Sequence, residues 1–131
     1  MGDSDMEVIM DHYRQPRNRG KLTEADVDCE DVNPACGDRV RMQAILNDAD
    51  EIAAVRFVGD GCVISMAAAS LLTTLVEGRS LKEVVQFPEA SMLEALEASV
   101  SPRRYDCALL AHRTLKAGLV RLAHDRRVSS S

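Results

Sequence analysis

The chain has 131 residues, of which 46% are hydrophobic and 28% are charged, and these proportions are typical of one globular domain with its own core. It carries 21 acidic and 16 basic residues for a net charge of −5, with no Trp and only 3% aromatic residues. Because nucleic-acid binding relies on basic surfaces and aromatic stacking, this composition argues against a nucleic-acid partner. We therefore expect a single domain over residues 1–131.

The sequence also argues against export and membrane insertion. Residues 1–5 are acidic and lack the basic and apolar regions of a signal peptide. The apolar charge-free run over residues 62–76 contains 15 residues and is too short to span a bilayer. We expect a cytoplasmic protein with no membrane partner. In a reducing compartment, its four cysteines are better explained as ligands, nucleophiles or buried small residues than as disulfides.

The first predicted element is a helix. Ser4 and Glu7 have the spacing of a capping box, and Pro16 marks the end of the helix. Its predicted apolar stripe consists of Met6, Ile9, Met10 and Tyr13. The helix is followed by a basic loop at residues 17–20, which is either a solvated turn or a docking contact, and its composition favours the solvated turn.

The next part of the chain has strand patterns. Residues 23–31 are weakly strand-like, whereas residues 39–46 and 52–58 alternate between apolar and polar side chains. Residues 47–50 have the composition of a turn. These segments predict a small antiparallel sheet of about three strands with one face in solvent.

The rest of the chain is predicted to be helical. A helix beginning at Cys62 is apolar around much of its circumference and should be buried, and Gly78 suits its end. A capping box at Ser80 opens a short helix, and residues 89–98 form another. A last helix follows Pro102 and runs to about residue 124. The fold class is therefore α+β, with a short polar tail after an ordered core.

Two of the cysteines lie in turns that contain glycine. Cys36 precedes Asp38 by two residues, so in extended backbone their side chains project to the same side. Cys62 begins a helix, where free N–H groups and the helix dipole favour a thiolate. The dipole contributes about 0.3–1 kcal/mol, too little to ionise a thiol alone, so a metal is the expected complement. With Cys107, near the start of the last helix, these residues are predicted to converge on one metal or metal–sulfur site.

Alternative explanations exist for the ligand-type residues. Free cysteine is commonly buried as a small hydrophobic residue, and Cys29 fits that explanation because it lacks a glycine or helix-start context. The cysteine spacing is not that of a zinc ribbon. His12, His112 and His124 are further candidates, although a histidine on an amphipathic helix is more often a core or surface residue.

Three collinear segments carry distinctive sequences: IMDHYRQPRNRG at 9–20, NPACGD at 33–38 and GDGCVIS at 59–65. Together they resemble the U-type iron–sulfur cluster assembly proteins, the family of the IscU, SufU and NifU N-terminal types, over about residues 5–124. The resemblance implies helices packed on a small curved antiparallel sheet. It also implies that sulfur is received from a PLP-dependent cysteine desulfurase. The ligands of the family's metal or cluster fall on Cys36, Asp38, Cys62 and Cys107.

The chain departs from the IscU type at two places. IscU-type scaffolds usually have a histidine immediately before the third cysteine and a Leu-Pro-Pro-Val-Lys motif, whereas this chain has Asp106 and the residues VSPRR at 100–104. Arg104, three residues before Cys107, is similar to the SufU type. The short stretch between Cys62 and Cys107 is instead similar to the IscU type.

Three thiolates and one carboxylate satisfy tetrahedral Zn²⁺ and equally the four open positions of a [2Fe–2S] cluster. Asp38 is the hardest of these ligands and a weak match for iron–sulfide chemistry, as expected of a cluster that is meant to leave. The expected function is that of a non-catalytic scaffold that assembles a labile [2Fe–2S] cluster and transfers it to apoproteins. The alternative is a zinc-dependent sulfurtransferase that relays persulfide to another scaffold. A purely structural zinc module is disfavoured by the Asp ligand.

Two residues are expected to act in sulfur delivery. Cys107 is the expected persulfide acceptor, because its position after a Pro-containing loop allows movement and helix-start activation. Arg104 is expected to help dock the desulfurase through charge-assisted hydrogen bonds.

Overall fold

A computed structural model describes residues 6–129 of the chain. Over these residues the elements are helix α1 (Glu7–Arg14), strands β1 (Val27–Asn33), β2 (Asp38–Leu46) and β3 (Ile52–Asp60), and helices α2 (Val63–Val76), α3 (Leu81–Val85), α4 (Glu89–Ala95) and α5 (Tyr105–Ser129). A 3₁₀ turn at Pro102–Arg104 leads into α5. The predicted α+β fold class is confirmed.

Within the described residues the strands form one antiparallel sheet in the order β1-β2-β3. The inner face of β2 is apolar and buried, and carries Val40, Met42, Ala44 and Leu46. On the outer face Arg41 donates two hydrogen bonds to Asp28 on β1, at 2.8 and 2.7 Å. The prediction of a solvated face is wrong at Gln43, because the segment before β1 covers it and Leu22 N–H donates to its side-chain oxygen at 2.9 Å.

Helices α2 and α5 pack beside each other against the sheet, and α1 packs on α2. The small buried side chains of residues 67–69 on α2 allow close packing. On α5, a Cβ added at Gly118 would lie 2.6 Å from Val27 Cγ1 and 2.8 Å from Cys29 Sγ. Glycine therefore lets α5 approach β1 closely, and Cys29 is a packing residue of that contact.

Local capping chemistry agrees with the predicted boundaries at several places. Cys62 is the N-cap of α2, and Ser80 and Glu83 form the predicted capping box of α3. Gly78 has φ +87° just beyond α2, in the left-handed region that glycine tolerates. Helix α4 ends at Ala95, earlier than predicted, and α5 continues beyond residue 124 to Ser129.

The first helix differs from its predicted pattern. Ile9 is buried as expected, but Tyr13 is 44% exposed, and His12 is buried in its place. The predicted cap residue Ser4 lies outside the described residues, and α1 begins after Met6 with no side-chain cap hydrogen bond. None of the helices within residues 6–129 combines the length and apolar character needed to cross a membrane.

Candidate metal centre

Three of the four predicted ligands meet where β1, β2 and α5 come together. Cys36 lies in the turn between β1 and β2, Asp38 is the first residue of β2, and Cys107 lies in the first turn of α5. The sulfur atoms of Cys36 and Cys107 are 3.2 Å apart. The two sulfurs and one carboxylate oxygen of Asp38 all lie within 4.8 Å of one another. Such a group of donors can hold a metal ion.

The local geometry of Cys36 and Asp38 is not the predicted one. The two residues do not share one face of an extended strand, because residues 34–37 form a tight turn. The backbone N–H groups of Cys36 and Gly37 both donate to the carbonyl oxygen of Asn33, at 3.2 and 2.8 Å. Gly37 has φ +74°, which glycine adopts without strain. The turn leaves Cys36 exposed while Asp38 is fully buried.

Asp38 has the most informative environment in the site. Its Oδ1 accepts the backbone N–H of Cys62 at 2.9 Å. Its Oδ2 is buried and has no hydrogen-bond partner among the described residues. Leaving a buried carboxylate oxygen unpaired is costly unless a cation satisfies it. A buried carboxylate that faces two thiols with a free oxygen therefore fits a metal.

Gly61 makes room for this carboxylate. A Cβ added at Gly61 would lie 2.7 Å from Asp38 Oδ1 and 2.5 Å from Ser65 Oγ, closer than real Cβ contacts. Gly61 therefore serves the close approach of the Asp38 and Ser65 side chains. It does not serve an unusual backbone conformation, because its φ lies outside the left-handed region.

Cys62 lies next to the group of three but outside it. As N-cap of α2, its Sγ accepts the backbone N–H of Ser65 at 3.4 Å and lies 3.6 Å from Ser65 Oγ. Its own N–H is bound to Asp38. The backbone N–H of Cys62 therefore contacts the site through Asp38, while its sulfur caps the start of α2.

Cys107 is fully buried, and Asn33 donates a hydrogen bond from Nδ2 to its sulfur at 3.6 Å. Burial raises the pKa of the Cys107 thiol far above its ordinary value, with further contributions from Cys36 and Asp38. Without a cation nearby, this thiol is protonated and a poor nucleophile. Sequence reasoning missed Asn33, although it lies in the NPACGD segment, because an Asn before Pro is typical of any turn.

The other candidate residues lie away from the group of three. Asp106 points outward, with Oδ1 2.8 Å from Arg113 Nη1. Arg104 is exposed in the 3₁₀ turn before α5.

The three histidines are not part of the group of three ligands and lie in core or surface positions. His12 Nδ1 lies 2.7 Å from Ser70 Oγ in the contact between α1 and α2. His112 is 1% exposed and meets Phe87 edge-on, with ring centroids 5.7 Å apart. Burial lowers the pKa of both imidazoles. His124 is exposed near the end of α5. These surroundings agree with the core and surface explanation for the three residues.

Comparison with known proteins gives concordant matches. Residues 4–128 match the NifU-like N-terminal domain. The chain is 36% identical over 132 residues to the zinc-dependent sulfurtransferase SufU of Bacillus subtilis, with 88% of each chain covered. It is 35% identical over 119 residues to the iron–sulfur cluster assembly scaffold protein IscU of Escherichia coli, with 86% of this chain and 89% of the other covered.

Solved structures agree with these matches. A candidate iron–sulfur cluster assembly scaffold of the SUF system from Fervidobacterium islandicum superposes with a TM-score of 0.72 at 27% identity, covering 86% of this chain and 94% of the other. The N-terminal part of a NifU-like protein from Brucella abortus has a TM-score of 0.74 at 15% identity, covering 95% and 99%. The second match shows the fold alone.

Proposed function

Because the chain belongs to the NifU-like N-terminal domain family of U-type iron–sulfur cluster assembly proteins, we propose that it builds a labile [2Fe–2S] cluster and passes it to apoproteins. The proposed ligands are Cys36, Asp38, Cys62 and Cys107. Sulfur comes from a PLP-dependent cysteine desulfurase.

The observation that carries this proposal is the buried, unpartnered Oδ2 of Asp38 beside two thiols. Three thiolates and a carboxylate complete the four positions that a [2Fe–2S] cluster or a tetrahedral zinc ion requires. Cys62 supplies the fourth donor when its side chain rotates away from the start of α2. Its backbone is already fixed beside Asp38 at 2.9 Å.

The site is suited to temporary occupancy. Its donors come from a turn, a strand start and two helix starts, whereas the apolar core lies between the sheet, α2 and α5. The domain can therefore remain folded when the cluster leaves. The carboxylate is a harder ligand than the thiolates and forms the weakest corner of the cluster. The exposed turn of Cys36 gives an acceptor protein access to that side of the site.

Sulfur delivery is assigned to Cys107 and Arg104. A metal held at the site would keep Cys107 as a thiolate. This thiolate attacks the terminal sulfur of the desulfurase cysteine persulfide, forms a new S–S bond and releases the desulfurase cysteine as a thiolate. Because Cys107 is fully buried, the first turn of α5 has to shift when the partner docks. Arg104 is exposed just before that turn, and its accessibility supports a contact with the partner. Cys107→Ser should abolish the persulfide adduct, and Arg104→Ala should weaken desulfurase affinity while leaving metal binding intact.

The direct experiment is anaerobic assembly with ferrous iron, cysteine and a cysteine desulfurase, followed by absorption and Mössbauer spectroscopy. The proposal predicts a [2Fe–2S] spectrum and transfer to an apo-ferredoxin within minutes. Asp38→Ala should lengthen the lifetime of the cluster and slow its transfer. A wild-type protein that assembles no cluster, yet binds one zinc per chain, would contradict the scaffold role.

One observation favours a second candidate, a zinc-dependent sulfurtransferase that relays persulfide to another scaffold. The residue before Cys107 is Asp106, which is held outward by Arg113, so this position offers no extra ligand to the site. The similarity to the Bacillus subtilis sulfurtransferase supports the same possibility. The assembly assay separates the two functions, because a sulfurtransferase stimulates the desulfurase without iron and passes its persulfide to a second scaffold.

A further inference from the structure

The first turn of α5 holds Cys107, and the inference drawn from it rests on the proposed function only in taking Cys107 as the reactive thiol. Cys107 has no exposed surface. Alkylating agents and partner proteins reach its sulfur only if the first turn of α5 moves. The contacts that fasten this turn therefore decide how reactive Cys107 is.

Arg113 binds the exposed side of that turn through Asp106. It lies two turns further along α5, and its Nη1 is 2.8 Å from Asp106 Oδ1, next to Cys107 in sequence. The same guanidinium binds Glu89, the first residue of α4, with Nε–Oε2 at 2.7 Å and Nη2–Oε1 at 3.3 Å. One cation thus ties the start of α5 both to the body of its own helix and to α4.

The ion pairs of Arg113 are weak enough to break when a partner docks. The side chains of Arg113, Glu89 and Asp106 are 45%, 46% and 69% exposed. Ion pairs with this much exposure are weak individually, and a partner can compete for them. Without Arg113 the carboxylate of Asp106 still interacts favourably with the positive end of α5. Removing the guanidinium should therefore loosen the first turn without unfolding the helix.

We propose that Arg113 is a positioning residue that, together with Glu89 and Asp106, keeps Cys107 inside the site. A docking partner that draws Asp106 or Glu89 away from Arg113 releases the first turn of α5 and presents the Cys107 sulfur. Weakening the same contacts by mutation makes Cys107 more accessible at all times.

The test is the alkylation rate of each cysteine in metal-free protein, followed by mass spectrometry with isotope-coded iodoacetamide. Cys29 is the internal reference, because its sulfur packs against α5 at Gly118 and reports whether the whole helix detaches. Arg113→Met should raise the rate at Cys107 about threefold to tenfold, the effect of losing two to three exposed ion-pair contacts. The rate at Cys29 should stay the same. Arg113→Lys should restore part of the protection.

Arg41→Met is the matched control, since it removes an equally short two-bond ion pair with Asp28 on the outer face of the sheet. It should leave the Cys107 rate unchanged. An unchanged Cys107 rate in Arg113→Met, or a rise that Cys29 shares, would overturn the proposal. The assay needs neither iron nor a desulfurase, so its outcome is separate from that of cluster assembly.

Discussion

The most specific structural prediction concerns Gly61→Ala. The new Cβ would lie 2.5 Å from Ser65 Oγ and 2.7 Å from Asp38 Oδ1, so both side chains have to retreat, the carboxylate by roughly 0.7 Å to reach an ordinary contact. That shift weakens the 2.9 Å hydrogen bond from Cys62 N–H and displaces the carboxylate from its position beside the two thiols. Crowding together with the weakened charged hydrogen bond should lower the free energy of unfolding by about 2–3 kcal/mol. The displaced ligand should lower zinc affinity about 10- to 100-fold.

The assay combines denaturant unfolding of the metal-free protein with zinc competition against a chromophoric chelator. Gly118→Ala is the matched control, because its Cβ would meet Val27 at 2.6 Å and Cys29 at 2.8 Å, away from the site. It should lower stability by up to about 2 kcal/mol, since the gain in helix propensity offsets part of the crowding, and leave zinc affinity unchanged. If Gly61→Ala binds zinc as tightly as Gly118→Ala does, Asp38 is not a ligand held in place by Gly61.

Two further predictions use the surroundings of the site and the buried imidazoles. Asn33→Ala removes the N–H donor 3.6 Å from the Cys107 sulfur and should weaken zinc binding about tenfold in the same competition assay, whereas an unchanged affinity would deny Asn33 this role. Burial lowers the pKa of His12 and His112, so the folded protein favours the neutral imidazoles, and both side chains bind a proton more readily in the unfolded chain. Their contribution to stability is fully present above about pH 6.5, the ordinary imidazole value, and is lost as the pH falls towards the lowered values. His112→Gln should therefore lose less stability than wild type between about pH 7.5 and about pH 5.5, and equal losses in denaturant titrations would contradict the assignment.

Much of the fold could be predicted because it depends on neighbours in sequence. The start of α2 at Cys62 and the capping box of Ser80 are nearest-neighbour chemistry, and both are confirmed. The burial of His12 could not be predicted, since its partner Ser70 is 58 residues away. The helical periodicity of the sequence predicted instead that Tyr13 would face the core. Gln43 was misplaced for the same reason, because a separate segment covers it.

The residues of the site could be predicted from the sequence, but their local geometry could not. Glycine turns and the family resemblance identified Cys36, Asp38 and Cys107, which the structure brings together. The assumed extended backbone between Cys36 and Asp38 was wrong, because hydrogen bonds to the Asn33 carbonyl close a turn there. The role of Arg113 depends on contacts seven and 24 residues away, which no local pattern reveals.

Three cysteine sulfurs and the Asp38 carboxylate are proposed to hold one metal. X-ray absorption at the zinc edge of protein loaded with one equivalent of zinc tests this proposal most directly. The proposed ligands should give three sulfurs at about 2.3 Å and one oxygen at about 2.0–2.2 Å. Cys62→Ser should leave two sulfurs, and Cys29→Ser should leave the spectrum unchanged. Four sulfurs, a histidine pattern in the outer shell, or a Cys62→Ser spectrum identical to wild type would contradict it.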